Sequence, residues 1–505
     1  MTLLLMLRNL AYRPWRSALL FAGFGVGVGV MVVLLSIGEA MLTQARDEKL
    51  VGGGTVTVLP EGLDVEVMKT GGVGGLFFSI NNARFVNLQL LSGPRLSDAV
   101  RAVAPRIDGK LVYLRTLPRP GQAGREFAVR ASGEIPSATR AVGAMPALRA
   151  GTWMDDSGDR MWRSPTPAEL RHTIDHFHVP PSDKRPMGER ESWAEWHYFN
   201  VLSADTRRWM FISFIVAGDL PHGRWGGQVL VTVHEEGKQE RRFVAYALPA
   251  AVHFTIDSAN LDIGESSVRV LADGRYHVVA HAVEEGRGTP LDLAFDLAPA
   301  AGAYFPAAAI SDGSTLSGYT VPALKAQATG RACVAGRCED LAAVQAYHDH
   351  NWGYWHDVDW EWGAARAGDF AVLYGRVQQT DSSAASAPLF LYVVDSLGFR
   401  ALFRPSRITY EGARTIRVGG ALVRVPARAV LADARGNDTL RIELDVDDAT
   451  GTDTRLGLIS RGQDRIAAVK AHPYFIQMKG RMRMSGVLGG ERVDARGAGF
   501  FETYR

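Results

Sequence analysis

Residues 347–362, YHDHNWGYWHDVDWEW, hold three His, three Asp, one Glu, one Asn and four Trp in sixteen positions. Trp is costly to expose, and clustered His and Asp are costly to bury unpaired, so this stretch marks either a site or an unusually polar core. Three chemistries are open to it. A carboxyl such as Asp349, buried near His348 or His350, acquires the shifted pKa that acid catalysis needs. His348, His350, His356 and Asp357 have feasible metal-ligand chemistry. Adjacent strand residues alternate faces, so His348 and His350 could converge while Asp349 points away. The same residues could also form the polar rim of an apolar pocket that binds a lipid without reacting it. Against these stands a purely structural reading, in which Asp349 and Asn351 bond backbone at a barrel mouth and Trp352 plugs its end.

Other candidate chemistry is thin. His172, His176 and His178 lie near a helix expected over 167–177, and His172 and His176 share one of its faces. No HExxH-type carboxylate accompanies them, so they read as surface or capping histidines. There is no G-x-S-x-G elbow, and neither cysteine has the setting of a catalytic thiol. A phosphate-binding GxxxxGK[ST] loop is also missing, so any ATPase must be a separate subunit. Cys333 and Cys338, in CVAGRC, read as a small disulfide-closed loop, since structural zinc wants four ligands. The formal net charge of +2 creates no global field for nucleic acid, and nucleic-acid-binding signatures are absent.

The elements that must position these residues follow from pattern. A chain of 505 residues, 47% hydrophobic and 22% charged, is globular in composition and long enough for two to four domains. Residues 17–38 carry no charge over a length that meets the roughly 20 residues needed to span a bilayer. Arg8, Arg13 and Arg16 precede them, which keeps the amino terminus in the cytoplasm and the bulk of the chain outside. A signal peptide would have a shorter apolar core of about 7–15 residues, so an uncleaved anchor is favoured. Gly23/Gly27 and Gly25/Gly29 are small-xxx-small pairs that would suit a membrane partner. A strand is expected over 52–60, a Gly-rich mobile stretch over 70–82 with Phe77 and Phe78, a helix over 96–104, and strands over 110–117 and 125–130.

Proline-rich residues 160–192 read as a boundary. Beyond Trp193, short alternating runs separated by turn residues indicate antiparallel sandwich or barrel architecture. These runs are 209–216, 228–234, 242–248, 267–271 and 276–282, then 370–377, 389–394, 415–418, 421–425, 439–446, 455–459 and 481–487. Residues 300–345 read as a loop-rich connection. Trp193 to Phe199 and His348 to Gly353 each join acidic, aromatic and His residues ahead of a strand. They are therefore expected to open two similar β-lobes.

Two family resemblances add to this. NLAYRPWRSALLFAGFGVGVGVMVVLLSIGEAM followed by GGGTVTVLP resembles the start of MacB/FtsX-type ABC transporter permeases, and residues 133–158 loosely resemble a later part of their extracytoplasmic domain. This chain shows no later group of membrane helices and would not be a complete permease. ESWAEWHYFN, YHDHNWG and GAGFFETYR resemble the AttH-like, hydroxyneurosporene-synthase-like (carotenoid 1,2-hydratase) family over about 190–505. That resemblance implies paired lipocalin-like β-barrels and a lipophilic ligand site to which DHNWG contributes polar groups. For alkene hydration Asp349 would be the acid, with His348 or His350 tuning it and Asn351 holding the water. Trp352, Trp196 and Trp355 would wall the cation, each by about 0.5–2 kcal/mol. Glu195 would be the matching carboxylate of the first lobe, and His197, Tyr198 and Tyr347 further ligand-binding residues.

The expected whole is mainly β: a basic stretch and membrane helix (1–45), a small α+β permease-like segment (46–160), a linker (161–190) and two lipocalin-like lobes (191–325 and 326–505). The expected function is binding of an isoprenoid or other lipid with hydration, isomerisation or cyclisation. The alternative is a non-enzymatic accessory subunit presenting substrate to ABC-type ATPase and permease subunits. The location expected is the cytoplasmic membrane, and neither a cofactor nor a metal is called for.

Overall fold

The computed structural model describes residues 12, 14–46, 56, 58, 79–117, 124–143, 154–180, 187–311, 316–355, 358–379, 389–453 and 474–505. Arg8, Arg13, nearly all of the strand expected over 52–60, Phe77 and Phe78, residues 144–153, His356, Asp357 and the strand expected over 455–459 lie outside them. The chain divides into two units, residues 1–78 with 101–156, and residues 79–100 with 157–505.

In the first unit the helix Pro14–Arg46 contains a stretch, Pro14–Ile37, long and apolar enough to cross a membrane. Its Leu19, Phe24 and Leu35 side chains are exposed. Strands β1 (Arg106–Arg115) and β2 (Glu126–Glu134) form an antiparallel hairpin, followed by the helix Pro136–Ala141.

The second unit opens with a helix at Ile80–Ser92, not at 96–104. Ser79 caps it by accepting from the Asn82 amide, Gly93 ends it, and residues 94–99 form turns. The Leu/Ala/Val spacing over 96–104 could not signal that the cap lies upstream. The short helix Pro167–Ile174 falls within 167–177 and starts with a capping box between Thr166 and Glu169.

From Trp193 the chain is strand. β3 (Trp193–Leu202), β4 (Arg208–Asp219), β5 (Arg224–Glu235) and β6 (Arg241–Ala247) form a meander. The short strands β7 (Val252–Phe254), β8 (Leu261–Ile263) and β9 (Ser266–Val270) lead to β10 (Tyr276–Glu284) and β11 (Pro290–Pro299). β12 (Phe305–Ser311) pairs with β13 (Leu316–Val334), which turns into β14 (Arg337–Tyr354). Eight of these close a barrel: β14 pairs back onto β3, β6 onto β10, and β11 joins β10 to β13. Its interior is filled by alternate residues such as Phe199, Phe214, Val231, Phe243 and Phe295.

The second lobe runs from β15 (Val358–Ala367) and β16 (Phe370–Gln379) through β17 (Phe390–Asp395), β18 (Gly398–Phe403) and β19 (Thr409–Glu411). The hairpin of β20 (Arg414–Val418) and β21 (Ala421–Val425) follows. β22 (Arg428–Arg435), β23 (Asp438–Asp453), β24 (Tyr474–Leu488) and β25 (Glu491–Tyr504) complete a nine-stranded antiparallel sheet curled into a half-barrel. The architecture is therefore mainly β with two lipocalin-like lobes. A third core between them joins Tyr198, Trp209, Tyr319 and Tyr347 of the barrel to Trp362, Leu373, Tyr392 and Phe500 of the half-barrel.

Two sequence expectations fail here. Residues 316–354 are not a connection but the two longest strands of the barrel, so the sheets divide between Tyr354 and Val358 instead of at 326. Their Ala- and Gly-rich composition hid the strands. Small residues are required where strands pack against bulky neighbours, as at Gly330, whose missing Cβ leaves room for Phe295. For the same reason the two motif stretches do not open two lobes. They lie on β3 and β14, neighbouring antiparallel strands of one barrel, with His350 opposite His197, Trp352 opposite Glu195 and Asp349 opposite Tyr198. Cys333 faces Cys338 in the β13–β14 hairpin and the two form a disulfide.

Candidate functional site

Strand alternation sorts the motif residues onto two faces. On β3, Glu195, His197 and Phe199 point into the barrel and Trp196, Tyr198 and Asn200 point out. On β14, His348, His350 and Trp352 point in and Tyr347, Asp349 and Asn351 point out. Two separate polar constellations result.

The inner one centres on Asp175, which ends the helix Pro167–Ile174 and is fully buried. Arg171 fastens this segment across the barrel by donating to the carbonyls of Gly274 (3.2 Å) and Pro322 (2.7 Å). Asp175 Oδ2 accepts from the Tyr276 hydroxyl (2.7 Å) and meets His348 Nε2 at 3.0 Å; Oδ1 contacts His350 Nδ1 and lies 3.7 Å from His197 Nδ1. His197 Nε2 donates to the Ala259 carbonyl (3.0 Å), His348 Nδ1 to the Tyr198 carbonyl (3.0 Å), and His350 Nε2 meets Glu195 Oε1 (3.0 Å). Glu195 also accepts from the His178 amide and pairs with its Nδ1. Trp352 stacks on His178 with ring centres 3.9 Å apart, and Gly318 leaves the room its indole occupies.

Burial would push the Asp175 carboxyl up, but the charges of His197 and His350 and the hydrogen bonds from His348 and His350 hold it well below the usual range. Burial alone would pull His350 down, yet Asp175 and Glu195 raise it to about 9. Burial drives His197 well below its ordinary value, against the pull of Asp175.

The outer constellation lies between the lobes. Asp349 is buried, accepting from the Tyr347 hydroxyl (2.8 Å) and the Asn351 amide (2.6 Å). Trp362 Nε1 donates to the Tyr347 oxygen (2.9 Å). Glu502, on β25 of the other lobe, accepts from Trp360 Nε1 (3.2 Å) and the Gln477 amide (3.1 Å). Burial, followed by the Glu502 charge, pushes the Asp349 carboxyl up to about 8. Burial also raises Glu502, against hydrogen bonds from Gln477, Trp360 and Tyr198. Trp196, Trp355 and Trp360, all half-buried, form an aromatic wall with ring centres 4.8, 5.7 and 6.3 Å apart. A narrow cleft of about 20 Å³ reaches Tyr347 past Asn200, Trp209, Arg366, Lys479 and Phe500.

The structure thus brings Asp349, Asn351, Tyr347, Tyr198, Trp196 and Trp355 to the lobe interface. It places His348, His350, His197, Glu195 and Trp352 on the barrel side of the same two strands. No hydrogen bond joins His348 or His350 to Asp349 for that reason, although the His350 charge draws the Asp349 carboxyl down, and Trp352 does not join the wall made by Trp196 and Trp355. Sequence reasoning missed Asp175, although HTIDHFH embeds it among the three histidines; His172 accepts from the Ala259 amide (3.2 Å), while His178 pairs with Glu195 in the inner cluster. It also missed Glu502, Trp360 and Gln477, of which Glu502 sits in the quoted GAGFFETYR.

No family model and no curated protein matches this chain. Nothing found supports the permease likeness of the first 160 residues. The AttH-like resemblance has counterparts among solved structures. An AttH candidate from Nitrosomonas europaea is 17% identical, over 64% of this chain and 98% of that one, with a TM-score of 0.42. Kievitone hydratase from Nectria haematococca is 13% identical, over 66% and 97%, with a TM-score of 0.38. CghA in complex with Sch210972 is 12% identical, over 68% and 96%, also with a TM-score of 0.38.

Proposed function

We propose that the lobe interface binds a lipophilic alkene and adds water to it, with Asp349 as the proton donor. The observation that carries this reading is the placement of Asp349 opposite Glu502 across the interface, both buried, beside a half-buried wall of three tryptophans. Two carboxyls removed from water in one site do not both stay ionised, so one holds a proton for delivery. Transfer of that proton to an alkene carbon forms a C–H bond and leaves a carbocation. The indole faces stabilise the cation by about 0.5–2 kcal/mol each. Water held beside Asn351 then adds its oxygen to the cation and returns a proton to the Asp349 carboxylate. The net change is alkene plus water to alcohol, and loss of a neighbouring proton instead of water capture would give isomerisation.

In this reading the apolar stretch Pro14–Ile37 tethers the chain to the cytoplasmic membrane, with the β-lobes outside the cytoplasm and close to an isoprenoid or lipid supply. The competing reading, a substrate-presenting subunit of an ABC-type exporter, rests on that helix alone. The test is to expose the full-length protein in detergent to membrane lipid extract and identify retained molecules by mass spectrometry. Retention with gain of one water by the native protein, and retention without gain by Asp349→Asn, supports hydration. Retention without gain by both leaves a carrier, and no retention by a folded sample removes both readings.

A further inference from the structure

The inner constellation is not used by the proposed hydration, and its hydrogen bonds count in an unusual way. Each of three buried histidines has one ring nitrogen turned outward to an acceptor: His197 Nε2 to the Ala259 carbonyl, His348 Nδ1 to the Tyr198 carbonyl and His350 Nε2 to Glu195. A backbone carbonyl or carboxylate can only accept, so those nitrogens carry the hydrogens. The other nitrogens, His197 Nδ1, His348 Nε2 and His350 Nδ1, all face Asp175. His350 Nδ1 hydrogen-bonds Asp175 Oδ1 and His348 Nε2 its Oδ2, whereas His197 Nδ1, 3.7 Å from Oδ1, is left unmatched. His197 Nδ1 is buried and has no hydrogen-bond partner at all.

A buried carboxylate with two imidazole nitrogens converging on it, one of them unpartnered, is the setting a cation between them would satisfy. One ligand atom each from Asp175, His197 and His348 lies within 4.8 Å of the others. The nearest separations, His348 Nε2 to Asp175 Oδ2 at 3.0 Å and His197 Nδ1 to Asp175 Oδ1 at 3.7 Å, run to different carboxylate oxygens and are each close to the roughly 3.3 Å between ligand atoms on bonds of about 2.0–2.1 Å. The outer acceptors are the partners that fix the tautomer of metal-bound histidines.

From this geometry we infer that Asp175, His197 and His348 hold one zinc-class divalent cation inside the barrel, with His350 hydrogen-bonded to the Asp175 carboxylate beside it. The donor set, imidazole with one carboxylate, suits zinc better than calcium or magnesium, which take all-oxygen shells. Packing by Phe177 and Phe199, each at most 1% exposed, closes the site to solvent, so the ion's role is to pin the segment carrying Asp175 to the barrel wall.

The test is the metal content of the full-length protein isolated from cells grown with zinc or cobalt. One ion per chain is expected, with cobalt giving visible absorption from its nitrogen and oxygen ligands. Asp175→Asn, His197→Gln and His348→Gln should each lower the content at least tenfold, and His222→Gln, outside the cluster, should leave it intact. Because those variants could fail to fold, His197→Cys serves as the second arm. It should retain cobalt and add a thiolate charge-transfer band, which loss of packing cannot produce. Metal below about a tenth of an ion per chain in the native protein would overturn the proposal and leave a proton-bonded network. So would a cobalt spectrum unchanged by His197→Cys.

Discussion

Asp349 and His350 are consecutive residues of one strand, yet their side chains belong to different sites. The Asp349 carboxylate binds Tyr347 and Asn351 at the lobe interface, whereas His350 lies inside the barrel between Asp175 and Glu195. The strand is a partition: each substitution on it tests one face while leaving the other in place.

On the outer face, Asp349→Asn keeps the shape and the bond from Tyr347 but removes the transferable proton. Turnover should fall by about 100-fold or more, the range lost with a general acid, while lipid retention stays within about twofold. Parallel rate and binding measurements on the native protein and the variant check this.

On the inner face, Asp175→Ala removes the acceptor shared by Tyr276, His348 and His350. Leaving such buried partners uncompensated costs about 3–5 kcal/mol. Urea unfolding of the full-length chain should show that loss, and the equivalent loss should be absent from Asp349→Asn.

Much of the fold was legible because alternation and turn spacing are local properties. The runs at 209–216, 228–234 and 276–282 all fall within strands. The density of His, Asp and Trp around residue 349 likewise marked where polar groups would be buried. The pairing of β14 with β3 was not legible, since it joins residues about 150 positions apart through small-residue strands whose composition imitates a loop. Asp175 stayed hidden because its helix is short and its partners come from three distant strands. A carboxylate's neighbours, not its own sequence context, decide whether it is buried.

Gly318→Val would place methyl groups where the Trp352 indole lies. Overpacking of this kind costs about 1–3 kcal/mol. The double variant with Trp352→Leu should recover part of that loss. Thermal unfolding of the two single variants and the double variant supplies the coupling.

The lobes also meet through His234 and Asp448, 2.7 Å apart. Burial would raise the Asp448 carboxyl, but the hydrogen bond and charge of His234 leave it lowered. A lowered folded-state pKa stabilises above the unfolded value of 3.8 and is lost as pH falls through the folded one. Asp448→Asn should therefore cost stability near pH 6 and converge with the native protein in strong acid. The effect should be on the order of 1 kcal/mol or less, because the pair is partly solvated. Denaturant unfolding across pH 2–6 (roughly the window set by that linkage) checks the sign.

The aromatic wall carries a separate expectation. Trp196→Ala removes one face of the triad with Trp355 and Trp360, and loss of a large apolar contact of about 1.5–3 kcal/mol should weaken lipid binding by roughly 10- to 150-fold. Quenching of tryptophan fluorescence by a bound polyene reports it.

The most direct test of hydration at the lobe interface is turnover of a linear isoprenoid polyene by the full-length protein in heavy water. Delivery of a proton from Asp349 to carbon predicts one non-exchangeable, carbon-bound deuterium in each alcohol formed, and no such product with Asp349→Asn. Alcohol lacking carbon-bound deuterium, or equal labelling by the variant, would contradict it.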